Sequence, residues 1–409
     1  MTVRLPLAGI RVVELGNFIA APTAGRMLAD FGAEVIKIER PGTGDELRSW
    51  RLNGGDTSML YRTINRNKKS ITVDLRTKEG RQVVLDLAAC SDAVLENFRP
   101  GTLERWGIGP DRLWAVNPYL VITRVSAFGQ TGPLSARPGF AAVAEAMGGL
   151  RELVGEPDRP PSRVGVSIGD SVAGMLAAFG TVVELLDRER ATGTDGAARD
   201  RVVDVALNEA VLAVTESLLP DHCAHNVERT RTGPRIDGIA PSSAYPCRDG
   251  SMVVIAGNGD GIYKRLMALI GRDDLADDPA LQSNADRWRE RDLLDDAIGD
   301  WTVRHDRVDV LPLLEAAGVP AGPIYTAADI CADGQFAVRG MVQHLDVETG
   351  DGSRRPVAFP GIAPLLGERS LPIRNLGPDL GADNRYVLGE LLGRSEEQIV
   401  QLTGRKETP

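Results

Sequence analysis

The sequence predicts an α/β fold built on a parallel sheet, and three patterns in the first forty residues lead to that prediction. An apolar run at 10–13 is typical of a buried strand, and the apolar spacing over 20–31 is typical of a helix. Gly32 ends the helix pattern, and a second apolar run follows at 35–38. A strand, a helix and a strand in this order form a crossover unit whose two strands run parallel.

The same alternation continues to about residue 130. Apolar runs at 70–74, 93–95 and 120–125 predict further strands, and the helical period over 78–89 predicts a helix between two of them. We therefore expect a Rossmann-like large domain that binds ligands at the carboxyl ends of its strands. The turn at 16–22 lacks the Gly-x-Gly-x-x-Gly pattern, which excludes dinucleotide binding through a glycine-rich turn.

Changes in composition divide the chain into three segments. We assign residues 1–220 to the large domain, 221–325 to a linker and a small α+β domain, and 326–409 to a C-terminal segment. The linker starts with a polar stretch at 221–240, and a hairpin pattern at 244–256 opens the small domain. Further elements are expected as strands at 164–168, 201–205, 341–347 and 355–359, and as helices at 171–190, 207–218, 263–270, 287–303, 308–317 and 383–392.

Composition limits the classes of function. The chain has 409 residues, 43% of them hydrophobic, and a net charge of −10, which argues against general binding to nucleic acid or to an anionic membrane. Its four cysteines show no metal-binding spacing, and no secretory signal is evident. We find no stretch of the roughly twenty apolar residues that span a bilayer. These observations predict a soluble cytoplasmic protein with reduced thiols.

Five stretches of the chain resemble the class III CoA-transferase family, which also contains acyl-CoA racemases. They read LAGIRVVEL at 7–15, FGAEVIKIERP at 31–41, NRNKKSI at 65–71, ENFRPG at 96–101 and GDS at 169–171. The resemblance covers nearly the whole chain. It implies that the C-terminal segment returns to the large domain and that two chains interlock as a homodimer. It also implies coenzyme A (CoA) esters and carboxylic acids as substrates, with no metal or redox cofactor.

Asp170 is the main candidate for chemistry, and two interpretations of it are compatible. Because it precedes the predicted helix at 171–190, the local pattern favours an N-cap. A carboxylate at a helix N-terminus stays ionised, and an ionised carboxylate can attack a thioester carbonyl. Gly169 leaves room for backbone and substrate to approach each other. In the resembled family the aspartate of the Gly-Asp-Ser element is the nucleophile, and it matches Asp170.

Basic residues near the ends of predicted strands are candidates for holding phosphates. Arg40 and Arg76 each follow such a strand, and a guanidinium group suits phosphate oxygens, although a lone arginine is more often simply solvated. CoA carries a diphosphate and a 3′-phosphate, so several cations are needed, and Arg66, Lys68 and Lys69 are nearby in sequence. By residue-to-residue matching, the resemblance implies that CoA is lined by Ile19, Ala20, Arg40, Val73, Asp74, Leu75, Arg76, Asn97, Phe98, Arg105 and Arg137.

Three functions remain open from the sequence. The first is transfer of CoA between carboxylic acids through an aspartyl anhydride and an aspartyl-CoA thioester on Asp170. The second is racemisation of 2-methylacyl-CoA esters, for which the racemase branch of the family has a histidine directly after the position of Gly139. Phe140 stands there, and no histidine precedes His222, which favours transfer. The third is binding of acyl-CoA without catalysis.

The sequence indicates the family more clearly than it indicates the identity of the acceptor acid. The oxalate-specific branch has a glycine-rich loop before the small-domain hairpin, where this chain reads GIAPSSAY at 238–245. Exchange between formyl-CoA and oxalate is therefore disfavoured, and the small-domain pattern is closer to branches that use succinyl-CoA and dicarboxylic acids. Arg231 and Arg235 in the linker are candidates for binding a distal carboxylate, although a solvated role is the simpler interpretation.

Overall fold

A computed structural model describes residues 5–191, 201–367 and 370–404 of the chain. The chain divides into two compact units. The first unit combines the N-terminal 150 residues with 164–216 and with the chain from 333 onward, and the second combines 151–163 with 217–332. The chain therefore enters the second unit twice, first through a short excursion at 151–163.

The main sheet lies in the first unit and is parallel throughout. The strands, in chain order, are β1 (Arg11–Glu14), β2 (Glu34–Glu39), β3 (Asn53–Gly54), β4 (Thr57–Ser58), β5 (Lys69–Thr72), β6 (Ala93–Glu96), β7 (Val121–Ser126), β8 (Val202–Ala206), β9 (Ser242–Pro246), β10 (Met252–Ala256), β11 (Ala321–Pro323), β12 (Val342–Glu348) and β13 (Arg354–Pro360). Six of them form the sheet in the order β5-β2-β1-β6-β7-β8, with every neighbouring pair parallel. This confirms the predicted parallel sheet. The direction of winding reverses between β1 and β6, which is where open α/β sheets bind ligands.

Helices alternate with these strands and also cover the second unit. In chain order they are α1 (Ala20–Asp30), α2 (Met59–Ile64), α3 (Lys78–Ala89), α4 (Thr102–Arg105), α5 (Pro110–Val116), α6 (Ala141–Met147), α7 (Leu150–Leu153), α8 (Ile168–Arg190), α9 (Leu207–Leu212), α10 (Leu218–His225), α11 (Asp260–Leu269), α12 (Asp273–Ala276), α13 (Asn284–Arg289), α14 (Arg291–Thr302), α15 (Arg307–Ala316), α16 (Ala327–Ala332), α17 (Gly334–Val338) and α18 (Glu396–Thr403). Two short 3-10 helices span Glu46–Ser49 and Pro279–Leu281, and a π-helix spans Arg385–Leu391.

The main sheet has a hydrophobic core on each face. On one face α1 and α8 pack with β1 residue Val12, and on the other face α3 and α5 pack with its neighbour Val13. The two valines enter different cores because successive side chains of a strand point to opposite faces. Small residues bring the helices close together: a Cβ atom on Gly174 of α8 would lie 2.6 Å from the carbonyl oxygen of Ala20 in α1.

The outward face of α8 differs from the sequence-based expectation. We expected the large apolar residues of α8 to be buried. Small residues such as Ala173 and Ala177 face the core instead, because they allow close packing. The large ones are exposed, namely Met175, Leu176, Phe179, Val182, Val183 and Leu186. Among the described residues, this one helix is long and apolar enough to cross a membrane by length and composition, contrary to our reading of the sequence. Its packed inner face is that of a core helix.

Several local predictions near the helix ends were wrong. No strand forms at 164–168, because Gly165 interrupts the short apolar run and α8 already begins at Ile168. Helix α10 extends to His225 into the polar stretch that we interpreted as a linker. The final predicted helix is a π-helix at Arg385–Leu391. Hydrophobic periodicity alone does not reliably predict the type of a short apolar segment or the exact end of a helix.

The C-terminal segment packs along the edge strand β5. The backbone N–H groups of Ser70 and Thr72 donate hydrogen bonds to Asp383 Oδ2 and Asn384 Oδ1, each at 2.8 Å. These side chains satisfy donors that an unpaired edge strand would leave open. The chain thus returns to the unit formed by its N-terminal residues, and strands β12 and β13 of this segment pair as an antiparallel hairpin.

The second unit has its own antiparallel sheet and its own core. The sheet has the order β11-β10-β9, and the predicted hairpin at 244–256 forms its β9 and β10 strands. Helices α11, α14 and α15 cover it, and the core includes Tyr245, Val253 and Leu266. The arrangement is that of a small α+β unit.

Candidate active site

A cavity of about 310 Å³ opens at the carboxyl edge of the main sheet, where β5, β2, β1 and β6 end side by side. The structure brings together there six of the eleven predicted CoA residues, which are Arg40, Val73, Asp74, Leu75, Arg76 and Phe98. They meet because each follows the end of a strand, and the ends of parallel strands share one edge.

The two rim arginines, Arg40 and Arg76, are paired with carboxylates that are close in sequence. Arg76 donates from Nε and Nη2 to Asp74 at 2.9 and 2.8 Å, and Arg40 Nη2 lies 2.5 Å from Glu46 Oε1. Hydrogen bonds from Arg76 lower the pKa of Asp74. The Arg40 and Arg76 side chains are 50% and 78% exposed. Because exposed ion pairs are weak, these guanidinium groups can exchange a carboxylate for a phosphate.

Phe98 is fixed on the cavity wall by a buried carboxylate. Its backbone N–H donates to Glu96 Oε2 at 2.7 Å, and Arg124 Nε donates to Glu96 Oε1 at 2.6 Å. Burial raises the pKa of Glu96 although the charge of Arg124 opposes that shift. The Phe98 ring meets Trp106 at a centroid distance of 5.1 Å and an interplanar angle of 67°. This pair gives the cavity an apolar wall that suits a flat ring such as a purine.

Five predicted CoA residues lie outside the lining of this cavity. Ile19 and Ala20 are buried in two hydrophobic clusters of the core. Arg105 and Arg137 are exposed, and Arg105 Nη2 donates to a hydroxyl of its own helix. The Asn97 side chain hydrogen-bonds the backbone of the turn after β1, which directs it away from the role of a free ligand group.

Asp170 occupies the third position of α8 and not the N-cap. The cap residue is Ser167, whose carbonyl oxygen accepts hydrogen bonds from the N–H and hydroxyl groups of Ser171 at 3.0 and 2.9 Å. The N-cap interpretation of Asp170 was therefore wrong, because the helix starts earlier than its apolar pattern. The carboxylate still lies in the first turn, where free N–H groups and the helix dipole stabilise negative charge, and the residue is partly exposed.

Gly169 lets the start of α8 pack closely against two other helices. A Cβ atom there would lie 3.3 Å from Val211 of α9 and 3.5 Å from the Cγ atom of Glu145 in α6. Glu145 is only 2% exposed, so a second carboxyl group is buried beside the turn that carries Asp170. Gly169 thus allows helices to approach each other closely, and the expected approach of substrate to this residue stays a prediction.

Three aromatic rings connect the turn after β1 with the surroundings of Asp170. Phe18 lies 5.4 Å from Trp50 and 5.8 Å from Phe140, measured between ring centroids. Phe140 directly precedes α6, and a Cβ atom placed on Gly169 would lie 3.7 Å from the Cβ atom of the next residue, Ala141. Trp50 and Phe140 are exposed, so the rings form an apolar surface that joins the turn after β1 to the start of α6.

The chain matches the sequence model of CoA-transferase family III over residues 7–384. The chain belongs to this family. It is 42% identical over 402 residues to the succinyl-CoA–D-citramalate CoA-transferase of Chloroflexus aurantiacus, with 98% of each chain covered. It is 37% identical over 406 residues to the alpha subunit of the succinyl-CoA–L-malate CoA-transferase of the same species, covering 98% of this chain and 92% of that one. The resemblance is thereby confirmed, and the protein is an enzyme of the CoA-transferase type that acts on CoA thioesters.

A solved structure supports the same assignment. The crystal structure of a CaiB/BaiF family protein from Brucella suis matches with a TM-score of 0.82 and 33% sequence identity. The match covers 95% of this chain and 100% of that one. The α/β architecture with a parallel sheet is therefore the architecture of this family.

The basic run at 66–69 does not supply a set of free phosphate ligands in this CoA-transferase. Arg66 is buried and pairs with Asp30 at 2.8 Å, and Lys68 is buried and pairs with Glu14 at 2.7 Å. Lys69 is partly exposed and lies 3.7 Å from Asp383. The expectation that these cations stand near the phosphates was wrong for Arg66 and Lys68, because both balance buried carboxylates.

Lys68 is part of a buried group of four charges, here called the Glu14 cluster: Glu14, Lys37, Asp45 and Lys68. Lys37 Nζ lies 3.0 Å from Glu14 Oε1 and 2.9 Å from Asp45 Oδ2. Burial disfavours the charge of Lys37, but Asp45 and Glu14 outweigh it and raise its pKa. For Lys68 burial dominates, and repulsion from Lys37 adds to it, so its pKa falls to about 8 despite Glu14.

Three features were missed in the sequence. Asn17 and Trp106 line the cavity, and their only signal was their position just after β1 and α4. The stretch GVSIG at 165–169 has the Gly-x-Ser-x-Gly form of a hydrolase nucleophile, but that motif requires a preceding strand, and none is present over 157–167. Within the described parts of the chain, no group of three His, Cys, Asp or Glu residues could hold a metal ion.

Arg231 and Arg235 have carboxylate partners inside the second unit. Arg231 Nη1 lies 2.6 Å from Glu152 Oε1. Arg235 lies 2.7 Å from Asp292 and 2.6 Å from Asp295. Both side chains are largely buried, so these contacts describe structural roles within the unit.

Proposed function

We propose that this CoA-transferase moves CoA from succinyl-CoA to a dicarboxylic acid, with Asp170 as the nucleophile. The observation that carries the proposal is the position of Asp170, which is partly exposed in the first turn of α8. This helix packs against α1, which begins directly after the turn that borders the cavity. The names of the relatives, which pair succinyl-CoA with citramalate or malate, support the donor and the acceptor class.

The reaction proceeds through two acyl intermediates on Asp170. The carboxylate oxygen attacks the thioester carbonyl carbon, the carbon–sulfur bond breaks, and a mixed anhydride and a CoA thiolate result. The thiolate then attacks the aspartyl carbonyl carbon, which releases succinate and leaves an aspartyl-CoA thioester. The acceptor carboxylate reverses both steps and leaves as the new CoA ester. Atoms and charges balance without any other reactant.

Two local features support this chemistry. The backbone N–H groups of the first turn of α8 are donors near the carbonyl carbons that become tetrahedral, where they stabilise an oxyanion. The apolar surface formed by Phe18, Trp50 and Phe140 packs against the bound ester, and the covered surface then keeps out water, which would hydrolyse the anhydride. The cavity between the strand ends takes the nucleotide part of CoA, with Arg40 and Arg76 at its rim.

The test of this proposal is substitution of Asp170 with asparagine. An amide cannot form the anhydride, so we expect transfer from succinyl-CoA to fall at least about 1,000-fold while free CoA still binds. Asp187→Asn is the matched control, because it changes the same residue type near the other end of α8. It should leave transfer unchanged.

A second measurement follows the atoms. With an acceptor acid labelled with ¹⁸O in its carboxylate, each turnover should leave one heavy oxygen on Asp170, detected by mass spectrometry of its peptide. Hydroxylamine added with succinyl-CoA should trap the same residue. Full activity in Asp170→Asn, or label that reaches the products without entering Asp170, would refute the role of this carboxylate. CoA binding with no transfer to any acid would point to a non-catalytic acyl-CoA-binding protein.

We also propose that the enzyme is a homodimer, as the resemblance implies. The support is the exposed apolar face of α8, on which Phe179 is 68% exposed. An apolar face of this kind usually marks an interface. Phe179→Lys should shift the protein to a monomer in sedimentation experiments, and Val308→Lys, at an exposed site in α15, should not. A wild-type monomer would exclude the dimer.

A further inference from the structure

The turn between β1 and α1 is held in a backbone conformation that its sequence disfavours. Phe18 has a φ of +63°, in the left-handed region that side chains with a Cβ atom rarely adopt. Gly16, two residues earlier, cannot carry a side chain, because a Cβ atom there would lie 2.6 Å from the Cβ atom of Ala21. The turn is therefore strained and tightly enclosed.

Three side chains from other parts of the chain hold this turn. Asn97 Oδ1 accepts a hydrogen bond from Asn17 N–H at 2.9 Å, and Asn97 Nδ2 donates to the carbonyl oxygen of Asn17 at 2.7 Å. Asp45 Oδ1 accepts from Phe18 N–H at 3.1 Å, and Lys37 Nζ donates to the carbonyl oxygen of Gly16 at 2.5 Å. Backbone groups of three consecutive residues are thus fixed from outside.

The position of Asn97 gives these hydrogen bonds a functional meaning. Asn97 follows β6, and the turn follows β1, so the Asn97 side chain bridges the two strands between which the sheet reverses its winding. Ligands of open α/β sheets lie at this reversal. Asn17 lines the cavity there, and the carbonyl oxygen of Ala20, just beyond the turn, packs against Gly174 one turn after Asp170.

We propose that Asn97 is a positioning residue, which fixes the strained Asn17–Phe18 turn between the cavity and Asp170, and not a ligand of CoA. This inference rests on the proposed function of the site. The Asn97 side chain accepts one hydrogen bond from Asn17 N–H and donates one to the Asn17 carbonyl oxygen. We call this pair of hydrogen bonds the clamp. The clamp offsets the unfavourable conformation of Phe18, and it keeps Asn17 on the wall of the cavity.

A double-mutant cycle with Phe18 separates the two roles of Asn97. Asn97→Ala removes both hydrogen bonds, and we expect kcat to fall by about 10- to 100-fold while the KM for succinyl-CoA changes less than about threefold. In the Phe18→Gly background the same substitution should cost less than about fivefold, because glycine adopts a positive φ without strain. Coupling of this kind is absent when a side chain contacts the ligand directly.

Asn117→Ala is the matched control for folding. The Asn117 side chain also makes side chain to backbone hydrogen bonds, to Ala88 and Ser91 at 3.0 and 2.8 Å, but it lies away from the cavity. It should lower the thermal unfolding midpoint about as much as Asn97→Ala and leave kcat unchanged. A drop in kcat for Asn97→Ala alone then reports positioning and not general loss of structure.

The outcomes distinguish this inference from the proposed function. Equal losses of kcat with Phe18 intact and in the Phe18→Gly background, or a tenfold rise in the dissociation constant of free CoA with kcat retained, would show that Asn97 is a CoA ligand. A wild-type enzyme that shows no transfer would refute the proposed function instead. In that case the cycle is measured on the free energy of unfolding, where coupling between Asn97→Ala and Phe18→Gly supports the clamp and additivity overturns it.

Discussion

The lysines of the Glu14 cluster and the arginines at the rim of the cavity are all cations, but they have opposite roles. Lys37 and Lys68 are buried in the Glu14 cluster and pair with carboxylates from distant parts of the sequence. Arg40 and Arg76 are exposed and pair with carboxylates within six residues of themselves. The two buried lysines support the fold together with their carboxylates, because a buried charge needs a partner. The two exposed arginines are free to exchange their carboxylates for a ligand.

Removal of Glu14 should produce the largest change in stability. Glu14→Ala leaves both Lys37 and Lys68 buried without their shared partner, so we expect the free energy of unfolding to fall by about 3–5 kcal/mol. Urea denaturation measures this change. The matched control is Asp274→Ala, which breaks an exposed pair with Arg272 and should leave stability unchanged. Equal effects of the two substitutions would remove the distinction between buried and exposed pairs.

The second-largest effect on stability should come from acid, through the buried carboxylate of Glu39 at the cavity. Burial alone would raise the pKa of Glu39, but hydrogen bonds and charge from Arg48, with Lys37 and Ser70, lower it from 4.5 to about 2. Because the folded pKa lies below the unfolded one, this stabilisation is present above pH 4.5. It is lost as the pH falls towards 2, and it amounts to about 3 kcal/mol.

The comparison that checks the acid effect is Glu39→Gln. The substitution lowers stability at neutral pH, but it should flatten the dependence of unfolding free energy on pH below 4.5, measured by urea titration at several pH values. A slope equal to that of the wild type would show that other carboxylates carry the acid sensitivity.

The rim arginines should matter for the substrate and little for the fold. Arg40→Ala and Arg76→Ala should each raise the KM for succinyl-CoA about tenfold, because each removes a charge-assisted contact with phosphate. The effect should shrink at high salt, since these side chains are exposed. Arg248→Ala, which breaks an exposed pair with Asp306 in the second unit, is the control and should leave the KM unchanged. An unaltered KM in both rim variants would place the phosphates elsewhere.

The exposed arginines and the buried lysines also differ in how well the sequence predicts their roles. The parallel sheet followed from apolar runs around Val12 and Val35, because strand and helix periods are local properties. The gathering of Arg40 and Arg76 followed from their positions after strands, since parallel strands end at one edge. Phe98 was named only because the family resemblance implied it. Those parts of the fold and of the candidate site needed no knowledge of distant contacts.

The remaining features depend on contacts between residues far apart in the chain. Lys68 and Arg66 looked like further phosphate ligands, but their carboxylate partners, Glu14 and Asp30, are more than thirty residues away. The clamp of Asn97 on Asn17 spans eighty residues. No local pattern of residues contains this information about partners. The start of α8 is a different case, because it was misplaced although its N-cap residue, Ser167, lies directly before the helix in the sequence.

The smallest effect that we predict tests whether a rim arginine exchanges partners. Glu46→Gln removes the carboxylate that holds Arg40 at 2.5 Å, so the guanidinium group no longer gives up an ion pair when it binds a phosphate. We expect the KM for succinyl-CoA to fall about two- to fivefold, which corresponds to the strength of an exposed pair. The same substitution in the Arg40→Ala background should change nothing, because the gain acts through Arg40. A rise in KM would mean that Glu46 holds Arg40 in place for the phosphate instead of competing with the phosphate. An equal fall in both backgrounds would mean that Glu46 acts on the substrate without Arg40.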